Sequence, residues 1–419
     1  MAIGIIILGA GLMLLRPSLI ALAIPFVAYS GIRVYLELGL DTPGLVIERT
    51  TSRHRMAEGD ELEVSLTCAL QPGEPACHVS LVDDLPKHAK LVSGEIQYLG
   101  PLVPGEPATI TYCVELPRGF HEFKGIQAMV WSRWGIASHT AFVEHASEVI
   151  VHPSTSRLAR IDIRPRRTRA FAGPVKANMG GQGMDFFGCR SYVPGDDVRR
   201  INWRAFARQN SLIINEYELE RIVDVSIVVD ARMQAHCQLN GESTFDHCAR
   251  AAGSLSELFL SSGNIVGLLV YGAYLHWVFP GTGRTQQQRI LDNLSRAYPE
   301  EKAVFEDLRN LPTRLFPAQS QIVLISPLVD QDDVEVVALL VDRGYSVILV
   351  CPHATTWEEE RVGETATSPL AGRISRMQRE LFLDSLVRTG TRIVNWDVLE
   401  PLAVAIERDI GHPFERRHR

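Results

Sequence analysis

The amino-acid sequence predicts three parts in one chain: an N-terminal transmembrane helical hairpin, an all-β sandwich domain, and a C-terminal α/β domain with a mostly parallel sheet. Three patterns indicate this fold class. The start is apolar and nearly uncharged, the middle alternates apolar and polar residues, and the end alternates apolar runs with amphipathic stretches. We place these domains at residues 1–40, 44–153 and 222–412, with a basic connector at residues 154–221.

The apolar start predicts the hairpin. Residues Ala2–Leu15 carry no charge, Arg16 and Pro17 interrupt, and Ser18–Leu36 is apolar again apart from Arg33. Because proline breaks or kinks a helix, two short spans joined at this interruption are the simplest interpretation. The first run would reach only about 21 Å of a roughly 30 Å hydrocarbon core. A single span by the second run and a buried soluble helix are the alternatives.

Basic residues near the apolar start predict an orientation. Arg49, Arg53 and Arg55 follow the second apolar run closely, whereas the interruption offers only Arg16. The positive-inside rule therefore predicts a cell-membrane protein that contacts membrane lipid, with its soluble domains facing the cytoplasm. Seven cysteines, an odd number without C-x-x-C spacing, independently favour reduced thiols in the cytosol over a disulfide framework.

The middle of the chain predicts the β-sandwich. Apolar and polar residues alternate through Glu61–Leu70 and Ala108–Leu116, which is typical of strands with one buried face. Turn-forming glycines and prolines separate these short segments, as in a sandwich. We expect the domain to end near Val149–Pro153, where a last strand meets proline.

The final two hundred residues predict an α/β domain. Val225–Val229 is a fully apolar run that ends at Asp230, and Phe245–Leu260 has the spacing of an amphipathic helix. Continuous apolar strands between such helices are typical of a parallel sheet that is covered on both faces. Ligands bind such sheets at the carboxyl ends of the strands, and Asp230 lies at one such end.

The connector is rich in arginine and glycine. It could be a solvated segment near anionic lipid head groups, or a docking surface for an acidic partner or a polyphosphate. Gly180–Gly183 could form an anion-binding nest, although we favour a flexible turn. No lysine lies in a Gly-Lys-Ser/Thr context, so the sequence excludes a P-loop ATPase. The net charge of −7 argues against nucleic acid as a partner.

A charged motif occupies the end of the connector, from Arg190 to Arg208. We predict that Asp196 or Asp197 caps a short helix and that Ile201 and Trp203 are buried anchors. The remaining charges are candidates for partner contact. The predicted interaction residues are Asp196, Asp197, Arg199, Arg200, Trp203, Arg204, Arg208, Glu216 and Glu220.

This motif resembles the signature of the domain of unknown function 58 family, as do the shorter segments Leu116–Gly119 and Val151–Pro153. The resemblance covers nearly the whole chain. It implies a membrane hairpin, a β-sandwich and a C-terminal von Willebrand factor A-like domain. It also implies a MoxR-type AAA+ ATPase as partner and a role in the assembly or maturation of protein complexes.

In von Willebrand factor A-like domains an Asp-x-Ser-x-Ser motif binds a hard cation such as Mg²⁺ through oxygen ligands. Here Asp230–Gln234 has Arg232 and Gln234 in place of the two serines, and a later strand ends at Ser326 without an aspartate, although Ser326 and Asp332 could contribute. We therefore expect a degenerate site, with no metal and no other cofactor. Either Arg232 replaces the metal and pairs with Asp230 or with a partner's carboxylate, or the loop is vestigial.

No catalytic signature stands out, so we expect a membrane-anchored, non-enzymatic adaptor or scaffold that works with the ATPase. Two alternatives remain open. One is a hydrolase centred on Asp230, with candidate partners His236, Cys237, His247 and Cys248. The other is a protein that binds anionic lipid or another polyanion through the basic connector, with binding that weakens steeply with salt. Homo-oligomerisation is also left open.

Overall fold

A computed structural model of the chain describes residues 2–39, 44–131, 138–158, 161, 175–239, 242–272, 275–299, 308–356 and 368–410. The chain divides into two compact units, Met1–Val151 and His152–Arg419. The first unit contains two helices and a β-rich body, and the second contains a mixed α/β body. The predicted β-rich N-terminal part and α/β C-terminal part are thus confirmed, whereas the predicted transmembrane hairpin is wrong.

The first unit begins with two helices, α1 (Ala2–Met13) and α2 (Pro17–Gly39). They pack against each other, and Gly11 in α1 lies so close to Ile20 in α2 that a side chain there would collide with it. Within the described residues, no helix is both long enough and apolar enough to cross a membrane.

The physical reason lies in where the helices end and what they contain. Helix α1 has 12 residues and is therefore about 18 Å long, well short of a roughly 30 Å hydrocarbon core. Helix α2 has 23 residues, but it includes Pro25 and the polar side chains of Ser18 and Ser30. The shortfall of the first run was already evident in the sequence, whereas summed hydropathy gave no weight to Pro25 and the two serines in the second run.

The β-rich body of the first unit consists of two sheets around one core. In the first sheet the strand order is β1-β3-β7-β5, and in the second it is β2-β9-β8-β4-β6. Alternate residues of the long strands point into the core, which explains the period of two in the sequence. The strands are β1 Leu45–Thr51, β2 Arg55–Ala57, β3 Glu61–Leu70, β4 Cys77–Asp83, β5 Lys90–Gly94, β6 Gln97–Leu102, β7 Ala108–Glu115, β8 Gly119–Trp131 and β9 Ser138–His152.

A buried ion pair lies in this core. The guanidinium of Arg49 (β1) pairs with the carboxylate of Asp83 (β4), and both side chains are 0% exposed. The hydroxyl of Tyr112 (β7) donates a 2.7 Å hydrogen bond to the same carboxylate. Arg49 also donates to the main-chain oxygens of Phe123, His145 and Gly125. The pair therefore links strands of both sheets.

The second unit begins with a two-stranded ribbon, β10 (Val175–Ser191) and β11 (Ile213–Arg221). The connection between the strands contains a short 3₁₀ turn, Val198–Arg200, and helix α3 (Trp203–Gln209). Gly180–Gly183 lies inside β10, where the register is irregular, and not in the flexible turn that we favoured. Because glycine has no side chain, it is compatible with such bulged strand segments.

The rest of the second unit is a six-stranded sheet with helices. Its strands in sheet order are β16 (Leu275–Gly281), β15 (Ile265–Gly272), β12 (Asp224–Ala231), β17 (Gln321–Ile325), β18 (Ser346–His353) and β19 (Arg392–Asp397). All neighbours are parallel except β16, which pairs antiparallel with β15. A small hairpin is formed by β13 (Gln238–Leu239) and β14 (Glu242–Ser243). The helices are α4 Thr244–Ser261, α5 Gly283–Arg296, α6 Gln331–Asp342, α7 Ser368–Val387 and α8 Leu402–Asp409.

Two hydrophobic cores cover the two faces of this sheet. Ile227 and Val229 of the central strand point into one core, and Val228 points into the other. Because both faces are buried, the strand reads as a continuous apolar run. Numbered in chain order, the strands lie in the order 3-2-1-4-5-6, which is the doubly wound arrangement. The order reverses between β12 and β17.

Candidate functional site

The carboxyl ends of β12 and β17 meet where the strand order reverses, and doubly wound sheets bind ligands at this position. Asp230 is the second-last residue of β12, and Ser326 directly follows β17. The Ser326 hydroxyl donates a 2.7 Å hydrogen bond to Oδ2 of Asp230. The structure therefore brings together two residues that are 96 positions apart in the sequence.

Arg232 fills the space in front of these two residues. Its Nε donates to Asp230 Oδ1 at 3.0 Å and its Nη2 donates to Asp230 Oδ2 at 2.8 Å. The guanidinium therefore binds the carboxylate through two parallel hydrogen bonds. Bidentate pairs of this kind are the strong form of the arginine–carboxylate interaction. The side chains of Arg232 and Asp230 are 1% and 0% exposed. The pairing of Arg232 with Asp230, which one of the two alternatives predicted, is therefore present in the structure.

A second carboxylate completes this cluster. Nη2 of Arg232 also donates to Asp333 Oδ2 at 2.8 Å, and Asp333 is only 1% exposed. The main-chain N–H of Val329 donates to the same oxygen at 3.0 Å. Burial raises the pKa of the Asp333 carboxyl, although the bond from Arg232 opposes the rise. Asp230, Arg232, Ser326 and Asp333 are called the charge cluster below.

Asp333, not Asp332, is the acidic residue of helix α6 that reaches the cluster. Asp332 instead pairs on the surface with Arg309. Asp330 caps α6 by accepting a 2.9 Å bond from the N–H of Asp333, and this cap fixes the helical phase. Asp333 then shares a face with Val337 and Leu340, which are buried. The spacing of Asp333 from these two apolar residues places it on the buried face of the helix, and this spacing could have identified it from the sequence.

The charge cluster holds two carboxylates and one cation, and Oδ1 of Asp333 is buried without a hydrogen-bond partner within the described residues. Burial alone would lower the pKa of the Arg232 guanidinium, but its bonds to Asp230 and Asp333 outweigh burial and raise it. Gln234 is exposed and lies in a short turn beyond the cluster. Within the described ranges, no group of three or more His, Cys, Asp or Glu side chains is arranged to hold a metal ion.

A cleft of about 310 Å³ opens beside the charge cluster, at the same edge of the sheet. His236 and Cys237 line one side, and His353 at the end of β18 with Arg379 of α7 lines the other. The Arg379 guanidinium donates to neutral oxygens, namely Oδ1 of Asn395 and the main-chain oxygens of Pro327, Cys351 and Pro352. Sequence patterns could not identify Arg379 or His353, because the contacts that place them come from distant strands.

The residues proposed for a hydrolase lie in different surroundings near Asp230. His236 Nε2 lies 2.6 Å from the main-chain oxygen of Asp230, not from its side chain. His247 packs edge-on against Trp396, with ring centroids 6.3 Å apart. Cys248 is buried in α4, and burial raises the pKa of its thiol well above the usual range. Cys237 lines the cleft.

Two histidines of this region make stability sensitive to pH. Burial lowers the pKa of His236, and burial followed by the charge of Arg379 lowers the pKa of His353. In the unfolded chain both imidazoles titrate near 6.5, so below about pH 7 the unfolded state binds more protons than the folded state. We therefore expect the second unit to lose stability as the pH falls from about 7.5 to 5.5.

Urea unfolding across this pH range checks the expectation. His236→Gln should flatten the dependence of the unfolding free energy on pH, because one buried imidazole no longer has to gain a proton. The exposed His276 on β16 provides the matched control, and His276→Gln should leave the slope unchanged. An equal slope in wild type and His236→Gln would contradict the assignment.

The charged motif forms a second candidate site. Its loop is held by Arg190, which donates two 2.7 Å bonds to Asp196 and one 2.7 Å bond to Glu216 on β11. These bonds to Arg190 hold the pKa of Asp196 down at about 2. Asp197 caps the 3₁₀ turn by accepting from the N–H of Arg199. The acidic residues of the motif are thus used to build its loop.

Asn202 is a third structural residue of the motif. Its side-chain oxygen caps helix α3 by accepting a 3.0 Å bond from the N–H of Ala205. Its side-chain nitrogen donates a 2.9 Å bond to Asn215 on β11. The helix is therefore fixed to the ribbon at its first turn, and Ile201 just before it is buried.

Several other residues of the motif face solvent. Trp203 is 62% exposed, which corrects our prediction that it is a buried anchor. Its ring packs edge-on against that of Phe206, with centroids 6.1 Å apart. The start of the helix is fixed by Asn202 and not by Trp203. We define the motif surface as the exposed residues Val193, Val198, Arg199, Trp203, Arg204 and Arg208.

The charges of the motif surface are all positive. Across the parts of the chain that the structure describes, the side chains of Arg199, Arg204 and Arg208 form no ion pair with a carboxylate. Arg200 is half-buried beside them, and Glu220 lies in the register of β11 opposite Lys176. Of the basic run between Arg157 and Arg169, only Arg157 falls among the described residues, so the polyanion hypothesis for that run lies outside them.

Comparison with known proteins gives a family without an assigned function. Residues 188–352 match the family described as Protein of unknown function DUF58, so the match includes the motif surface and most of the six-stranded sheet. The uncharacterized protein YeaD of Bacillus subtilis (strain 168) is 22% identical over 255 residues, which are 59% of this chain and 60% of that protein. The uncharacterized protein Rv1480 of Mycobacterium tuberculosis (strain ATCC 25618 / H37Rv) is 29% identical over 116 residues, 27% of this chain and 37% of that protein.

These matches span 60% or less of the length of the relatives. Among solved structures, a FixG-related protein from Vibrio parahaemolyticus aligns with a TM-score of 0.18 at 14% identity, over 27% of this chain and 98% of that one. The cupredoxin domain of amoB from Nitrosocaldus yellowstonii aligns with a TM-score of 0.19 at 10% identity, over 26% and 88%. At such TM-scores these likenesses carry no argument about fold or function.

Proposed function

We propose that the chain is a non-enzymatic adaptor that binds an acidic protein through the motif surface. The observation that carries the proposal is the exposure of Trp203 among Arg199, Arg204 and Arg208. An exposed aromatic residue next to arginines has the composition of an interaction hot spot. An acidic partner would supply carboxylates to these three arginines, which form no ion pair among the described residues.

The partner that we propose is a MoxR-type AAA+ ATPase, and the process is the assembly or maturation of protein complexes. The resemblance of the motif to the domain of unknown function 58 family supports this choice. All seven cysteines are free, which is compatible with the reducing compartment in which such an ATPase works. We also infer that the α/β body is von Willebrand factor A-like, supported by its strand order and by Asp230 at the reversal point.

The charge cluster supports an adaptor over a hydrolase. Asp230 is 0% exposed, and its two carboxylate oxygens accept bonds from Arg232 and Ser326. A general base needs a free lone pair within hydrogen-bond reach of its substrate. In this arrangement the Asp230 carboxylate holds the residues at the carboxyl edge of the sheet together and is not available as a general base.

The test is a titration of the purified full chain with the MoxR-type ATPase of the same organism. We expect Trp203→Ala to weaken binding at least about 30-fold, because truncating a central aromatic hot spot costs about 2 kcal/mol or more. Arg204→Glu with Arg208→Glu should weaken binding at low salt, where unscreened charges attract most.

Two matched controls separate docking from general surface effects. Phe279→Ala removes an aromatic side chain that is 76% exposed on β16, and Arg284→Glu with Arg289→Glu reverses two charges on α5, outside the motif surface. Both control proteins should bind like wild type. If the wild-type chain does not bind the ATPase, the ATPase is ruled out as the partner. If the motif variants bind as tightly as wild type, the motif surface is ruled out as the binding site.

A further inference from the structure

Helix α7 carries a row of exposed apolar side chains. Leu370, Ile374, Met377 and Leu381 are 63%, 50%, 64% and 70% exposed. Their spacing of four, three and four residues places them on one side of the helix, as in the seam of a coiled coil. We call these four residues the α7 stripe. It is about 16 Å long at the rise of an α-helix.

The stripe is not the core-facing side of the helix. Leu383 and Leu386 of α7 are buried in the core on one face of the sheet, and Arg379 on the same side reaches the carboxyl edge. At about 100° per residue these positions lie roughly opposite the stripe. The helix is therefore already anchored to its domain by one side, while the other side presents four large apolar residues to solvent. Contiguous exposed apolar surface of this kind marks an interaction site.

Charges beside the stripe indicate what covers it. Arg373 and Glu380 are exposed, lie on the same flank and are seven residues apart, whereas the opposite flank carries the uncharged Gln378 and Ser385. When two copies of this helix run antiparallel, Ile374 of one lies beside Met377 of the other. Arg373 of each copy then faces Glu380 of the other. The stripe is thus complementary to itself in both shape and charge.

A membrane surface fits the flank less well. Glu380 and Asp384, both exposed, border the stripe on the side of Arg373. Anionic head groups would repel these carboxylates, and a helix that binds a lipid surface carries mainly Lys and Arg along its polar side. A second copy of the chain pairs one of the two carboxylates with an arginine.

We propose that this protein forms a homodimer through antiparallel contact of two α7 stripes, related by a two-fold axis near Ile374 and Met377. Three turns of helix bury less than the roughly 1,200 Å² of a standard interface. The dimer is therefore weak and reversible, and dimerisation is independent of the motif surface. It would give a partner two motif surfaces per assembly, which strengthens binding by avidity.

Sedimentation velocity of the full chain over a concentration series tests the proposal. Wild type should shift from monomer to dimer as the concentration rises, and Leu381→Glu should remain a monomer because the dimer would bury a charge. Leu339→Glu on α6 is the control, since Leu339 is an exposed apolar residue outside the stripe at 44% exposure. Circular dichroism verifies that each variant is folded.

Charge reversal tests the antiparallel geometry. Arg373→Glu alone and Glu380→Arg alone each create two pairs of like charge, and we expect each to weaken self-association about tenfold. Combining both substitutions in one chain should restore it. Mixing the two single variants should also restore it, because both flanking pairs of the mixed dimer then join opposite charges.

Each result decides the proposal. A wild-type chain that stays monomeric throughout the series, or a double reversal that fails to recover association, would overturn it. So would a stripe-dependent flotation with phosphatidylserine-containing vesicles, abolished by Leu381→Glu, in a chain that does not self-associate. Partner binding by a monomeric Leu381→Glu chain shows that failure of the dimer is separate from failure of the motif surface.

Discussion

Replacing Arg232 with alanine is expected to lower the free energy of unfolding of the second unit by about 3–5 kcal/mol, the usual cost of breaking a buried ion pair by removing one partner. The substitution leaves Asp230 and Asp333, which are 0% and 1% exposed, without their shared cation. Two like charges would then face each other in a region with little water. Urea unfolding followed by circular dichroism measures the loss.

The pH dependence of the same variant identifies the cause. Without Arg232, burial and the neighbouring Asp230 charge should raise the folded-state pKa of the Asp333 carboxyl further above the unfolded value near 4. A raised folded pKa favours the protonated folded state, so the deficit relative to wild type should shrink as the pH falls from about 7 to 5. Mg²⁺ should also recover part of the loss, because two carboxylates and the Ser326 hydroxyl are oxygen ligands for a hard cation.

A surface arginine supplies the control. Arg309 is 50% exposed and pairs with Asp332 and Glu335, so it too has two carboxylate partners. Arg309→Ala should cost less than about 1 kcal/mol, because exposed ion pairs are well solvated. If Arg232→Ala costs no more than Arg309→Ala, the charge cluster does not hold the carboxyl edge together.

The charge cluster shows how far sequence reasoning reaches. Asp230, Arg232 and Ser326 could be selected because each lies at or just after the end of a predicted strand, and strand ends of a parallel sheet meet at one edge. Asp333 could not be selected this way, because it enters from a helix 101 positions beyond Arg232. Choosing between Asp332 and Asp333 required the helical phase, which the Asp330 cap sets.

The fold shows the same division between local and long-range information. The alternation in Glu61–Leu70 and the apolar run Val225–Val229 predicted the two bodies, since burial on one face or on both faces leaves a direct sequence pattern. The N-terminal prediction failed although the apolar runs located both helices, because the first helix is too short to span and the second contains Pro25, Ser18 and Ser30. Trp203 failed for a different reason, since a large aromatic residue is compatible with either a core or a docking surface.

Arg49 gives the sharpest contrast. In the sequence it counted as one of three cytoplasmic surface charges after the apolar start, yet its side chain is 0% exposed in the core of the first unit. Its partner Asp83 is 34 residues away in the sequence. The residues next to Arg49 and Asp83 in the sequence give no pattern that predicts this ion pair. Arg53, from the same group of three, is a true surface residue at 64% exposure.

The second large effect follows from this pair. Arg49→Met keeps much of the side-chain volume but leaves the Asp83 carboxylate buried without its cation, so we expect a loss of about 3–5 kcal/mol from the first unit. The main-chain oxygens of Phe123, Gly125 and His145 lose their donor as well. Arg53→Met is the matched control and should cost less than about 1 kcal/mol, because its pair with Asp60 is exposed and 3.7 Å long.

A double variant separates lost attraction from an isolated charge. Arg49→Met with Asp83→Asn removes both charges, and the amide oxygen introduced by the second substitution can still accept the 2.7 Å bond that the Tyr112 hydroxyl donates to this position. The double variant should therefore be more stable than Arg49→Met alone, since the main penalty of the single variant is an unpaired buried carboxylate. Equal or lower stability of the double variant in urea unfolding would show that the bonds of Arg49 to the strand oxygens, and not the charge of Asp83, link the two sheets.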